Sequence, residues 1–221
     1  MTRQRELFSA EPLDTLAFEK IATRSGYSSV AGIDEAGRGP LAGPVTAAAV
    51  ILPVGLSLAG VDDSKKLTPE KRELLYSLIM DHALSVGVAS VPPVEIDRIN
   101  ILQATRLAML SAVQQLSPQP DLLLIDGITT ISSPLPQRTI KKGDSLSLSI
   151  AAASIIAKVT RDRYMIEMDS VYPGYGFSRH KGYGSATHMD AIKRLGPCPI
   201  HRLTFAGVKE WVPGSINSGI L

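Results

Sequence analysis

Two adjacent acids, Asp34 and Glu35, stand at the end of a short apolar run, Val30-Ala31-Gly32-Ile33, and lead at once into Gly37-Arg38-Gly39-Pro40. The run reads as a buried β-strand that ends at the acids. Neighbouring strand residues point to opposite faces, so this pair can flank one ion only where the strand stops. Glycines let backbone N–H groups come close to a ligand, because no Cβ stands in the way. Oxygen-only ligands beside an exposed backbone turn suit metal-assisted chemistry on a phosphate or a sugar. An isolated Asp-Glu pair is more often only a polar strand end entering a turn.

Two more acids hold related positions. Asp126 ends the apolar run Leu122-Leu123-Leu124-Ile125 and precedes Gly127, as Asp34 ends its own strand; alone, it reads equally as a turn former. Asp144, in Lys142-Gly143-Asp144-Ser145, lies just ahead of the longest helical stretch, where capping the helix N-terminus is the leading reading.

The elements that must position these acids are legible in outline. A short amphipathic helix is expected over Leu13–Ile21, and strands over Ser28–Asp34, Val45–Leu52, Leu84–Val91 and Asp121–Asp126. The second strand carries Thr46 and three alanines, which implies that something packs closely against it. Helices are expected from Pro69 to about His82, with Thr68 as N-cap, from Asn100 to Leu116, from Ser147 to about Ser170, and from Ser185 to Leu195. Residues Pro173 to Gly184 form a Gly- and Pro-punctuated loop long enough to suggest a function. Strands first, then strands alternating with helices, give an α/β fold with a mixed sheet covered by helices.

The motifs taken together resemble the type 2 ribonucleases H, the ribonuclease HII family. The resemblance runs from Ile33-Asp34-Glu35-Ala36-Gly37-Arg38-Gly39-Pro40 and Leu41-Ala42-Gly43-Pro44-Val45 through Asp63-Ser64-Lys65-Lys66-Leu67 and Asn100-Ile101-Leu102-Gln103-Ala104-Thr105. It continues in Ile125-Asp126-Gly127, Lys142-Gly143-Asp144-Ser145, Ala151 to Asp162, His180-Lys181-Gly182-Tyr183 and Pro199-Ile200-His201-Arg202, and so covers Tyr27 to Phe205. It implies a ribonuclease H-like mixed sheet flanked by helices, with a helical C-terminal extension. With the amphipathic N-terminal helix and the Pro-, Gly- and Ser-containing end, the expected division is an N-terminal helical extension (1–26), a catalytic domain (27–211) and a flexible tail (212–221).

The family's metal-binding carboxylates match Asp34, Glu35, Asp126 and Asp144 one by one, which reverses the capping preference at Asp144; the ion would be Mg²⁺ or Mn²⁺. Its ribonucleotide-reading turn matches Gly37, Arg38 and Gly39, and the tyrosine that packs on the neighbouring sugar matches Tyr183. A 2′-hydroxyl both donates and accepts hydrogen bonds, which is how a protein tells RNA from DNA locally. Lys65, Lys66, Arg161, Arg163 and Lys181 are candidates for phosphate contacts. The implied activity is hydrolysis of the phosphodiester 5′ to a ribonucleotide, in RNA–DNA hybrids and in DNA with embedded ribonucleotides, leaving 5′-phosphate and 3′-hydroxyl ends. Removal of ribonucleotides from DNA is the corresponding role. The related type 3 enzymes lack this form of the turn and carry an added N-terminal domain, for which the roughly 26 residues ahead of the first strand are too few.

Composition agrees with one domain: 221 residues, 44% hydrophobic and 20% charged, are globular values. The net charge of +2 is too small to announce a nucleic-acid binder, but Lys158 to Lys209 holds nine basic against four acidic residues, an excess larger than that of the whole chain. A single cysteine, Cys198, fits a reducing compartment. Neither a secretory signal nor a membrane span is apparent, so a soluble cytoplasmic protein is expected, with no reading of protein partners. His180, His188 and His201 are not spaced like a zinc site and read as structural. Asp62 and Asp63 read as ordering their loop, and Asp162 as a salt-bridge former. Three rival classes remain: a glycosidase, disfavoured because adjacent strand acids do not flank a sugar from both sides; another polynucleotidyl transferase such as a resolvase or integrase, which does not need the Gly-Arg-Gly turn; and a non-catalytic nucleic-acid-binding module, which does not need the acids.

Overall fold

Val45-Thr46-Ala47-Ala48-Ala49-Val50-Ile51 offers no polar face to water, and a strand of this kind is stable only when both its faces are covered. In the computed structural model, which describes residues 14–56, 58 and 67–212, it forms β2 (Val45–Ile51), buried throughout. β2 pairs antiparallel with β1 (Val30–Ala36) on one side and with β3 (Ser85–Val91) on the other. β1 continues the sheet through parallel pairing with β4 (Leu122–Asp126), and β4 pairs in parallel with β5 (Gln137–Ile140). The order is β3-β2-β1-β4-β5, a mixed sheet as expected.

Helices cover both faces. Ala47, Ala49 and Ile51 pack with Ala104, Ala108 and Ala112 of α3 (Pro93–Gln114). Ala48 and Val50 pack on the other face with Leu75 and Ile79 of α2 (Pro69–His82) and with Ala152, Ile155 and Ile156 of α4 (Leu148–Val171). The alanines of β2 therefore serve two close helix layers. The first helix is α1 (Ala17–Arg24), starting later than the sequence suggests. The loop before α6 (Ala186–Leu195) contains the short helix α5 (Phe177–His180). No helix among the described residues is long and apolar enough to cross a membrane.

Several boundaries follow from caps. Thr68 accepts a hydrogen bond from the Lys71 N–H, and Ser185 accepts one from the His188 N–H, as N-caps do. Asn100 was expected to open a helix and does, its Oδ1 accepting from the N–H groups of Leu102 (3.0 Å) and Gln103 (3.1 Å). It does so inside α3: a further helical piece begins at Pro93, and Asn100 (φ 66°) forms the kink between the two. The Pro92-Pro93 pair concealed that piece, although Pro is well suited to a first helical turn. β5 was not expected from Gln-Arg-Thr-Ile; the Gln137 side chain stitches it to the preceding loop through the Ile131 N–H and C=O, both at 3.0 Å.

Gly32 sets the distance between β1 and α4. A Cβ there would stand 2.1 Å from the Ser149 carbonyl carbon and 2.3 Å from the Ile150 nitrogen. Gly32→Ala should therefore force the two apart at a cost of about 2–3 kcal/mol, a fall in Tm of roughly 5–10 °C for a chain of this size. Thermal denaturation checks this, and an unchanged Tm would contradict the close packing.

Candidate active site

The parallel pairing of β1 with β4 aligns Ile33 with Ile125, so the next residues, Asp34 and Asp126, emerge side by side at the same sheet end. Strand alternation sends Asp34 toward α4 and Glu35 toward α3. Both acids border one opening, and Glu35 borders a second as well. A cavity of about 250 Å³ is lined by Asp34, Glu35, Asp126, Ser154, Lys158 and Tyr183 together with Gly37, Arg38 and Gly39. A second, of about 230 Å³ on the α3 side, is lined by Glu35, Arg38, Asp126, Gly127, Leu102 and Arg106.

Asp34 is buried, and its pKa is raised well above the ordinary carboxylate value. Desolvation is the main cause, followed by repulsion from Glu35 and then from Asp126. Hydrogen bonds from Ser154 and from the Glu35 N–H, the latter at 2.7 Å, oppose the shift without cancelling it. Glu35 is paired with Arg38 at 3.3 Å. Asp126 accepts a hydrogen bond from the Gly143 N–H at 2.7 Å, which ties the turn carrying Asp144 to the end of β4.

Asp144 itself is buried in a single 3₁₀ turn, Gly143–Ser145. It does not cap α4. Ser147 does, accepting from the Ile150 N–H, and Glu19 of α1 reinforces that end by accepting from the Ser147 hydroxyl (2.6 Å) and the Ser149 N–H (3.0 Å). An acid at a helix N-terminus is favoured by the helix dipole, and here Glu19 fills that place.

Among the described residues, no three Asp, Glu, His or Cys side chains surround one point as finished metal ligands would. What converges is negative charge: the buried Asp34 carboxylate feels both Glu35 and Asp126. An oxygen-only donor set in which Asp34 still feels net repulsion fits a hard divalent cation, which prefers carboxylate ligands.

The turn that follows β1 is held from behind. Arg161 of α4 is buried and donates to the carbonyls of Pro44 and Ala42, both at 3.0 Å. Arg202 is also buried and donates to the carbonyls of Arg38 (2.7 Å), Gly43 (3.0 and 3.1 Å) and Gly37. Gly37 has φ +92°, and a Cβ on it would lie 2.0 Å from Arg161 Nε, so both the backbone conformation and the space demand glycine. Arg161, expected as a phosphate contact, is a structural clasp at the back of the cavity.

Tyr183 is half exposed, its Cε1 atom 3.8 Å from where a Gly39 Cβ would be. A chain of histidines supports its backbone. His201 Nδ1 accepts from the Cys198 N–H (2.9 Å), which leaves its Nε2–H to donate to His188 Nε2 (3.0 Å). His188 Nδ1–H then donates to the Tyr183 carbonyl (2.9 Å). Burial pushes His188 and His201 down to about 4, so both rings are neutral at physiological pH and consistent with these tautomers.

Of the basic residues expected to meet phosphates, Lys181 lines a third cavity, of about 350 Å³, with Lys158, Arg72 and Arg179; it shares Lys158 and Tyr183 with the acid-lined one. Arg163 is engaged with Glu73 (2.5 Å) and lies over the Tyr76 ring. Lys65, Lys66, Asp62 and Asp63 lie outside the described residues. Asp162 forms its ion pair with Lys158, four residues earlier, at 2.5 Å. Ser154 and Lys158 were missed as site residues, although with Arg161 they form a polar stripe at i, i+4 and i+7 on an otherwise apolar helix face.

The sheet order and the acids at the ends of β1 and β4 define a ribonuclease H-like nuclease. The chain belongs to the ribonuclease HII family, since its residues 31–208 match the family model described as Ribonuclease HII. It is 65% identical to Ribonuclease HII of Pelobacter propionicus, over 95% of this chain and 96% of that one, and 64% identical to Ribonuclease HII of Geobacter sulfurreducens, over 92% and 94%. Among solved structures it is similar to ribonuclease H2 from Pyrococcus horikoshii OT3, with a TM-score of 0.71 and 30% identity over 83% of this chain and 96% of that one. The Mn²⁺ complex of Bst-RNase HIII shares the fold at 20% identity and a TM-score of 0.64, over 93% of this chain and 75% of that one. Membership makes the chain a metal-dependent ribonuclease H, a hydrolase of nucleic acid.

The raised pKa of Asp34 has a thermodynamic sign. The folded state holds this proton more tightly than the unfolded state, so ionising Asp34 as pH rises above the unfolded value removes stability. Asp34→Asn should therefore stabilise the metal-free protein at pH 7 by about 1 kcal/mol or more, a rise in Tm of roughly 2–4 °C, while weakening the stabilisation that Mg²⁺ gives the wild type. Melting curves with and without Mg²⁺ test this; a lower metal-free Tm in the variant would contradict it.

Proposed function

We propose that this chain hydrolyses the phosphodiester on the 5′ side of a ribonucleotide, in RNA–DNA hybrids and in duplex DNA carrying single ribonucleotides. The observation that carries this reading is one cavity lined both by the carboxylates Asp34, Glu35 and Asp126 and by the Gly37-Arg38-Gly39 turn with Tyr183. Acid-cluster chemistry and a ribose-sized reading surface thus lie within reach of a single nucleotide. A glycosidase or a non-catalytic binding module has no use for that combination, and a resolvase does not need the turn.

Divalent cations, Mg²⁺ or Mn²⁺, held by Asp34, Glu35, Asp126 and Asp144 would supply charge compensation for the attacking water and the departing oxygen, as in two-metal phosphodiester hydrolysis. The chain's own residues do the rest. The Gly37–Gly39 backbone presents hydrogen-bonding groups to the 2′-hydroxyl, and Tyr183 packs on the adjoining sugar. Lys158 and Lys181 line neighbouring cavities that share Lys158 and Tyr183, and they guide the phosphates of the strand. Ser154 holds the Asp34 carboxylate in place through its hydrogen bond. Water forms a bond to phosphorus while the bond to the upstream 3′ oxygen breaks, giving a 3′-hydroxyl and leaving the phosphate on the 5′ side of the ribonucleotide. We assign this activity to the unit spanning residues 27–211.

A DNA duplex with one ribonucleotide is the sharpest substrate, because reading one 2′-hydroxyl needs only one ribose. Gel mapping should show a single nick 5′ to it with 5′-phosphate and 3′-hydroxyl ends, no cutting of the all-DNA duplex, and loss of at least 100-fold in rate for Asp126→Asn. Equal cutting of the all-DNA control, or a cyclic-phosphate product, would overturn the reading.

A further inference from the structure

We propose that Arg202 is the positioning residue for ribose recognition: by drawing the carbonyls of Gly37 and Arg38 inward, it turns the N–H groups of Arg38 and Gly39 outward as the donors that meet the 2′-hydroxyl. This rests on the reading of that turn as the ribonucleotide reader, and it adds the group that sets the turn's polarity.

In a trans peptide the C=O of one residue and the N–H of the next point in opposite directions, and both bonds here are trans, the one cis bond among the described residues being Ser117-Pro118. The Arg202 guanidinium takes the Gly37 and Arg38 carbonyls, the latter at 2.7 Å. The following N–H groups, on Arg38 and Gly39, must then face away from Arg202. Both residues are exposed, and neither N–H finds an acceptor among the described residues. They open beside Tyr183, in the cavity that also holds the acids.

Arg202 suits this task. It bonds to Gly43 at the far end of the same loop, so one guanidinium fixes both limbs, and it is braced on the Phe205 ring at 5.0 Å. Its position is fixed in turn by its own N–H, which bonds to the Leu41 carbonyl, and by the bridge between Ala42 and His201. Burial, and then the nearby Arg161 charge, lower its pKa to about 9, which leaves it charged at neutral pH. A buried cation whose donors meet only carbonyls orients those dipoles strongly, since low-dielectric surroundings strengthen each contact. Lysine has the charge but lacks the planar fork that bridges three carbonyls.

The test compares Arg202→Lys with Ile79→Ala, a core change between α2 and α4 that destabilises without touching the turn. The readout is the ratio of the inhibition constant of an all-DNA duplex, used as competitor, to the KM of the same duplex with one ribonucleotide. The wild type should show a ratio well above 1, and Ile79→Ala should keep it. Arg202→Lys should lower the ratio roughly tenfold, the effect of about one hydrogen bond to the hydroxyl, with the all-DNA constant unchanged. An unchanged ratio in folded Arg202→Lys would overturn the proposal. A wild-type ratio near 1 would instead overturn the reading of the turn itself. Should Arg202→Lys fail to fold, the wild-type protein without added metal still decides it. Its Arg38 and Gly39 amide NMR signals should shift with the ribonucleotide duplex and not with the all-DNA duplex. Signals that respond equally to both, or to neither, would contradict the assignment.

Discussion

The side-by-side emergence of Asp34 and Asp126 from the parallel β1–β4 pair is the constraint on which the site depends. Register leaves these carboxylates no freedom to separate, because each continues a strand whose preceding residues are locked in the core. Glu35 adds a third charge at the same sheet end. Desolvation would normally drive such a cluster apart or neutralise it by proton uptake, and the raised pKa of Asp34 records that tension. The sheet therefore concentrates repulsion at this end, and close packing at Gly32 brings α4 near enough for Ser154 to hold Asp34.

The rest of the site has the opposite electrostatic character. Behind the acids lie two buried guanidiniums, Arg161 and Arg202, which donate to backbone carbonyls of the 37–44 loop. Neutral histidines on the C-terminal side hold the Tyr183 backbone without adding charge. The acid cluster and the Gly37–Gly39 turn are thus built on different supports: a sheet edge for one, and a clasp reaching across from the last third of the chain for the other. This division explains why an apparently peripheral stretch, Pro199 to Phe205, lies so close to the first strand's turn.

Much of this was legible in the sequence. The sheet-end positions of Asp34, Glu35 and Asp126 were legible because each follows an apolar strand run, while their choice as metal ligands came from the family resemblance; Thr68 marks itself as a cap by residue type and by the proline after it, whereas Ser147 and Ser185 read only as helix starts. Asp144 was harder: it precedes a helix closely enough to look like its cap, and only the Ser147 and Glu19 contacts separate the two roles. Arg161 was illegible as a clasp, because a basic residue in a nucleic-acid enzyme reads as a phosphate contact until its burial is known, and Arg202 read only as part of a family motif. Ser154 and Lys158 were hidden within an alanine-rich helix, where one polar residue per turn is easily passed over. β5 was missed because it is short and depends on a Gln137 side-chain contact rather than on apolar alternation.

Burial and the neighbouring Glu35 and Asp126 charges disfavour the ionised Asp34 carboxylate, and under the proposed function a divalent cation would remove that penalty. Following the Asp34 side-chain carboxyl carbon by NMR through a pH titration, with and without Mg²⁺, tests it most directly. The account predicts a midpoint well above that of an ordinary carboxylate in the metal-free protein, falling steeply when Mg²⁺ is added. An ordinary midpoint that Mg²⁺ leaves unchanged would contradict it.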